Sequence, residues 1–165
     1  GQLVSRLSAK HRVHWRLYAQ SGDRAVDLLA KLAEMNAEPF DVAVISIGVN
    51  DVVQMTSLNA WRACLNSVVD TLHSRFSVRQ VLLSSVPPMH LFPALPNPLR
   101  WWLGLRARQL NVVMKDLARD KVLCTFLEIP YNGNPQDIAE DGFHPGAGAY
   151  KVWAEQLVRN GDWMP

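Results

Sequence analysis

The strongest constraint on this chain is an alternation of two patterns. Short apolar runs at positions 41–47, 81–86 and 122–127, the first of them rich in β-branched residues, read as buried strands. Between them the apolar residues recur at helical spacing. Leu58, Trp61, Leu65, Val68, Val69 and Leu72 share one face of a helix over about residues 57–76, and Leu103, Leu110, Val113 and Leu117 share a face of another. Strands separated by helices are joined by crossovers rather than hairpins, so the expected core is a parallel sheet with helices on both sides.

The flanking segments extend the pattern. Residues 2–9 read as the tail of a helix, and Val13, Trp15 and Leu17 alternate with polar neighbours as a strand does. Asp23 is placed to cap a helix that buries Leu28, Leu29, Leu32 and Met35 and ends before Pro39. Pro87-Pro88 stops the second apolar run, Pro98 suits the first turn of the long helix, and Pro145 starts a last helix with Tyr150, Trp153 and Leu157 inward. No repeat, low-complexity tract or linker interrupts residues 1–165, which read as a single domain.

Composition narrows the partners. A formal net charge of +2 on 165 residues is too small to argue for nucleic acid or an anionic membrane, and points to a small-molecule ligand. Arg100, Arg106 and Arg108 beside Trp101 and Trp102 imitate a nucleic-acid patch, but a helix with a basic solvated face over an apolar one accounts for them. Cys64 and Cys124 sit in apolar patterns without a paired cysteine or a histidine at ligand spacing, and are expected as buried free thiols with no zinc site. No apolar run reaches the length of a membrane span.

In sheets of this class ligands bind beyond the carboxyl ends of the strands, and the polar exceptions fall there. They are Gln20-Ser21-Gly22-Asp23, then Gly48-Val49-Asn50-Asp51, and, after the last strand, Asp141-Gly142-Phe143-His144-Pro145. Ser21-Gly22-Asp23, Gly48-Val49-Asn50-Asp51 and Asp141-Gly142-Phe143-His144-Pro145 resemble, in order and spacing, the second, third and fifth blocks of the SGNH, or GDSL, serine esterases and lipases. The resemblance implies a three-layer αβα, flavodoxin-like fold and an ester hydrolase working through a serine acyl-enzyme, without metal or organic cofactor. It assigns His144 as general base, Asp141 as its orienting acid, and the Gly22 backbone N–H and the Asn50 amide as oxyanion donors.

The residue types suit these roles. An imidazole titrating near neutrality can take a serine proton and return it to a leaving alcohol. A neutral amide stabilises an oxyanion without itself titrating. Asp51 is expected to stabilise its turn rather than to act in catalysis. His11, His14 and His73 read as surface or groove residues; for His90, in the proline-rich loop, an ordinary loop residue is favoured over a pocket-lining one. The proline-rich stretch over residues 87–102 is either the wall or lid of an acyl pocket, with Met89, Phe92 and Phe143 as candidate lining, or a fixed loop over the sheet edge.

The chain departs from the family at one block. Gly-Asp-Ser at the end of an opening strand, which carries the nucleophile, has no counterpart before Gly22. Ser46, Ser84 and Ser85 lie in or at the end of strands and read as structural. In the order 2-1-3-4-5 the opening strand would lie between those at Val13 and Val44, leaving backbone groups unpaired in its absence. The expectation is an upstream segment of roughly 20–30 residues, or a second chain, that completes the sheet. The alternative is a noncatalytic binding module that keeps the cleft and lacks the nucleophile.

Overall fold

The computed structural model describes residues 1–131, 137–142 and 144–163. Its centre is a three-stranded parallel sheet of β1 (Val42–Ile45), β2 (Gln80–Ser84) and β3 (Cys124–Leu127), with β2 in the middle. Val44 lies opposite Leu82 and Leu82 opposite Thr125, so all three strands share one register. The helices are α1 (Gln2–Ser8), α2 (Ala25–Glu34), α3 (Val49–Val53), α4 (Leu58–Phe76), α5 (Leu99–Asp120) and α6 (Ala147–Asn160).

The two-residue period of the strands builds the layers. Val81 and Leu83 join the larger core with Trp61 and Leu65 of α4 and Leu110 and Leu117 of α5, while Leu82 faces the other way, onto Leu127, Leu157 of α6 and Leu3 of α1. Helices α2, α4 and α5 therefore cover one face of the sheet and α1 and α6 the other. This is the expected αβα arrangement. Trp61 anchors the larger core: it is fully buried, and its indole N–H donates to the Leu110 carbonyl at 3.2 Å. Helix α4 starts where Ser57 Oγ accepts the Ala60 N–H at 3.2 Å, as an N-cap should.

Three local expectations are corrected. The strand at Val13, Trp15 and Leu17 does not form; residues 12–20 have no regular structure, and Trp15 and Leu17 are 50% and 74% exposed. Alternation supplies the right side chains, but a strand persists only where a neighbour accepts its backbone hydrogen bonds. The segment is held by side-chain contacts on either side of β1 in sequence and makes no ladder with it among the described residues. The His14 ring stacks on Phe40 ahead of β1, Arg16 pairs with Glu38, and Asp23 reaches Asn50 beyond the strand's carboxyl end. The edge of β1 away from β2 thus carries no ladder among the described residues, and Val42, Ala43 and Val44 stay half-buried where Val81 to Ser84 are buried.

Asp23, secondly, does not cap α2. It pairs with Lys31 at 2.5 Å, and the helix start is served by Asp27, which accepts the Arg24 N–H at 2.9 Å, and by Asp51, which accepts the Ala25 N–H at 3.0 Å. Thirdly, Tyr150 is 45% exposed rather than inward, whereas Trp153 and Leu157 pack on the sheet as expected. Of the two thiols, Cys124 is buried and Cys64 only half-buried.

Candidate active site

Beyond β1 the chain turns at Gly48, whose φ is +121°. A Cβ there would stand 2.5 Å from Val86 Cγ2 and 3.2 Å from Trp61, so both conformation and space demand glycine. The turn opens α3, which carries Asn50 and Asp51. Asn50 Nδ2 donates to the Asp23 carbonyl at 2.9 Å. That contact uses one of the two amide hydrogens and fixes the direction of the other.

Asp51 is the most deeply buried carboxylate described, at 1% exposure. One oxygen accepts the Ala25 N–H at 3.0 Å and the other the Thr56 hydroxyl at 3.0 Å, while its own carbonyl accepts the Thr56 N–H at 3.0 Å. Burial pushes its carboxyl pKa up, and the two hydrogen bonds to the ionised form partly oppose this. The expected turn role therefore reaches further. Asp51 bonds the loop after β1 to the start of α2, and with Asn50 it ties the Gly22 loop and the Asn50 loop into one unit. Gly22, with φ +91°, sits at the bend of that unit.

His144 and Asp141 form a second unit, built by a tight turn. Ala139 N–H donates to the His144 carbonyl at 2.8 Å, Gly142 N–H to the Ala139 carbonyl at 2.9 Å, and Ile138 bridges Pro145. Gly142 supplies the left-handed residue, at φ +69°. Asp141 then grips the histidine twice: Oδ1 accepts its backbone N–H at 2.9 Å, and Oδ2 faces ring Nδ1 at 2.5 Å. A proton on Nδ1 satisfies that contact and gives Nε2 the lone pair. Both side chains are well exposed, 67% for His144 and 51% for Asp141. The Ala94 N–H reaches the Gly142 carbonyl at 3.3 Å, which sets the proline-rich stretch against this turn.

That stretch is built into the core. Met89 and Phe92 are buried, and Phe92 meets Tyr131 edge-on at 6.0 Å, so as placed they offer packing rather than an open acyl wall. Phe143, the third candidate for that wall, lies outside the described residues. A residue the sequence reading passed over explains how the stretch is held. The Asn111 amide accepts the Val86 N–H and donates to the Val86 carbonyl, both at 2.8 Å, satisfying the backbone where Pro87-Pro88 ends the sheet. Its signal was an amide directly after the buried Leu110 on α5.

Ser84 accepts the Trp153 indole N–H at 2.8 Å and Ser85 the Ile129 N–H at 3.0 Å, the structural roles expected; Ser46 is exposed. A cavity of about 330 Å³ opens behind the Asp51 loop, lined by Arg24, Gln54, Thr56, Ser57 and Cys64 among others. It holds neither Asp141 nor His144. Among the described residues no group of histidine, cysteine, aspartate and glutamate side chains is arranged to hold a metal, and no helix is long and apolar enough to cross a membrane.

The sheet, its two helical layers and the loops at the strand ends define an α/β protein of the SGNH-hydrolase fold. A sequence profile of the GDSL-like lipase/acylhydrolase family matches residues 1–152, and the chain belongs to that family. Among solved structures it is similar to a protein from Streptococcus pneumoniae provisionally identified as a platelet activating factor, with TM-score 0.77, 16% identity, and 94% of this chain and 76% of that one covered. It is also similar to an acetylxylan esterase from Geobacillus stearothermophilus, with TM-score 0.57, 20% identity, and 88% and 71% covered. A variant of that enzyme gives TM-score 0.63, 20% identity, and 95% and 78% covered. No curated protein sequence is similar enough to register as a relative. Membership of this family supports hydrolysis of the esterase type.

Proposed function

We propose that this chain carries the base and oxyanion side of a serine carboxylic-ester hydrolase, and that a strand seated on the free edge of β1 brings the nucleophile. The observation that supports it most is the double grip of Asp141 on His144, which orients the ring as a general base needs. In the reaction, Nε2 of His144 takes the serine proton as Oγ attacks the ester carbonyl. The Gly22 N–H and the second hydrogen of the Asn50 amide receive the oxyanion. Collapse expels the alcohol with the proton from His144, and water repeats the sequence to free the acid. Asp141 stays ionised throughout and steadies the imidazolium. No step calls for a metal or organic cofactor.

Support for the added strand is the unladdered edge of β1, next to a segment with strand-like alternation and exposed Trp15 and Leu17. An upstream segment of the polypeptide is the simplest source, and a second chain the other. The test is turnover of short-chain nitrophenyl esters by the chain alone and by a polypeptide extended with an amino-terminal strand ending in Gly-Asp-Ser. Activity and phosphonate labelling of the serine are expected in the extended form, and His144→Ala should abolish nearly all turnover. An extended, folded protein with neither turnover nor labelling would leave the noncatalytic binding module as the reading.

A further inference from the structure

We propose that the outer face of the first half of α5 is a docking surface for an anionic lipid membrane. Helix α5 has two apolar faces. Leu103, Ala107, Leu110 and Met114 are buried against the core, yet Trp101, Trp102 and Leu105 point outward at 58%, 48% and 55% exposure. Met55, from the turn after α3, joins them, and with Trp102, Leu105 and the rim residues Arg106 and Gln109 it bounds a shallow hollow of about 180 Å³. Trp101, Leu105 and Val112 lie on one stripe, all more than half exposed. At about 1.5 Å per residue the stripe runs roughly 16 Å along the helix axis. Large aromatics held outward in one patch mark an interaction surface rather than chance exposure.

Charge chooses the partner. From Asp70 to Asp116 the chain contains no aspartate or glutamate, whereas Arg100, Arg106 and Arg108 all lie in that interval on α5. Arg100 lies over the Trp101 ring at 6.0 Å. Arg106 bonds the Thr56 carbonyl and Gln109, which fastens the Met55 turn to the helix. Asp51, in α3 just ahead of that turn, is buried and bonds the start of α2. A second copy of the chain is disfavoured, because a two-fold contact would set these arginines against their own copies with no carboxylate between them. Nucleic acid is disfavoured by the apolar centre of the patch, where Trp101, Trp102 and Leu105 stand outward. Tryptophans flanked by arginines on a helix lying in the surface plane match the headgroup boundary of a bilayer. There the indole ring enters the acyl edge and the guanidinium meets anionic headgroups.

Co-flotation tests this with vesicles of phosphatidylcholine alone and with added phosphatidylglycerol, at low and high salt, with tryptophan emission read in parallel. Partition onto the anionic vesicles is expected, with a blue-shifted emission, and weakened by salt. Trp101→Ser with Trp102→Ser should lower partition at least ten-fold. Arg100→Gln and Arg108→Gln should each lower the anionic preference by about five-fold, while Arg→Lys at both sites keeps it. Circular dichroism and thermal melts show that these surface variants stay folded. Equal or absent partition on the two vesicle types overturns the proposal, as does partition that the tryptophan pair leaves unchanged. A dimer, or a complex with a short RNA, that the same variants abolish in the absence of lipid binding overturns it too.

Discussion

Replacing Asp51 separates the hydrogen-bonding role of this carboxylate from its charge. Asp51→Ala removes the acceptor of the Ala25 N–H, at the buried start of α2, and that of the Thr56 hydroxyl, both at 3.0 Å. A buried donor without a partner costs about 1–3 kcal/mol, and loss of a helix cap costs about 1. Against this, the variant no longer buries a charge, and water from the adjoining cavity can reach part of the site. The expected loss is about 2–3 kcal/mol, or about 4–12 °C in melting temperature for a chain of this length. Asp51→Asn keeps one acceptor and should stay within about 1 kcal/mol of the parent, because the Thr56 hydroxyl can turn to accept from the new amide. The two variants also differ in pH response. Because burial raises the native pKa of Asp51, the native state binds its proton more tightly than the unfolded chain does. Between the unfolded value of about 4 and the raised native value, this group's contribution to stability falls as pH rises. Asp51→Asn lacks that slope and should gain on the parent as pH climbs from about 4 towards 7. Denaturant unfolding followed by tryptophan emission at several pH values measures all of this. Asp51→Ala within about 0.5 kcal/mol of the parent, or Asp51→Asn losing ground as pH rises, would refute the reasoning.

Gly48→Ala should cost about 2–4 kcal/mol, since it adds a Cβ against Val86 and Trp61 at a positive φ; urea unfolding gives the value. Asn111→Leu fills the same space but strips the Val86 N–H and carbonyl of their partners, and a loss of about 2–4 kcal/mol is expected by the same method. Burial raises the Cys124 thiol to about 11, so at pH 8 its thiolate is roughly a hundred-fold scarcer than in an unfolded chain. Disulfide-reagent labelling of Cys124 should therefore be slow in the native protein and fast in guanidinium. A native Cys124 that labels at the unfolded rate would contradict its burial.

Helix periods and strand runs were legible because burial imposes them locally. The apolar residues of α4 and the inner face of α5 point where their spacing says, since one core absorbs them all. The same logic misled at Trp101 and Trp102. Spacing shows that a helix has apolar residues on two sides, but only packing decides which side meets the core. Tyr150 was misread in the same way, one turn from Trp153. The Asp23 cap failed for a different reason. Asp23, Asp27 and Asp51 can all serve a helix start, and proximity in sequence favours the first, whereas the fold brings Asp51 to Ala25 from 26 residues away. The loops at Gly22, Asn50 and His144 were singled out as a set because their order and spacing resemble one family's blocks and each follows a strand or strand-like run.

The two halves of the site are held by different physics, and this bears on the role proposed for each. An oxyanion donor must be in place before charge develops, so its position has to resist the pull of water. The Asn50 loop meets that need through a glycine with no room for a Cβ, a buried carboxylate and a bond to the Asp23 carbonyl, all drawing on the core. A general base has to exchange protons with solvent and substrate, and needs orientation more than burial. His144 has that arrangement, gripped twice by a carboxylate three residues away while its ring stays exposed. Core substitutions should consequently disturb Asn50 long before they disturb His144. The strand proposed for the edge of β1 would lie between the segment ending at Gly22 and β1, with its carboxyl end beside the Gly22 and Asn50 loops. On that proposal a serine there would meet the proposed donors through the sheet itself, and only the histidine would have to come from a separate turn.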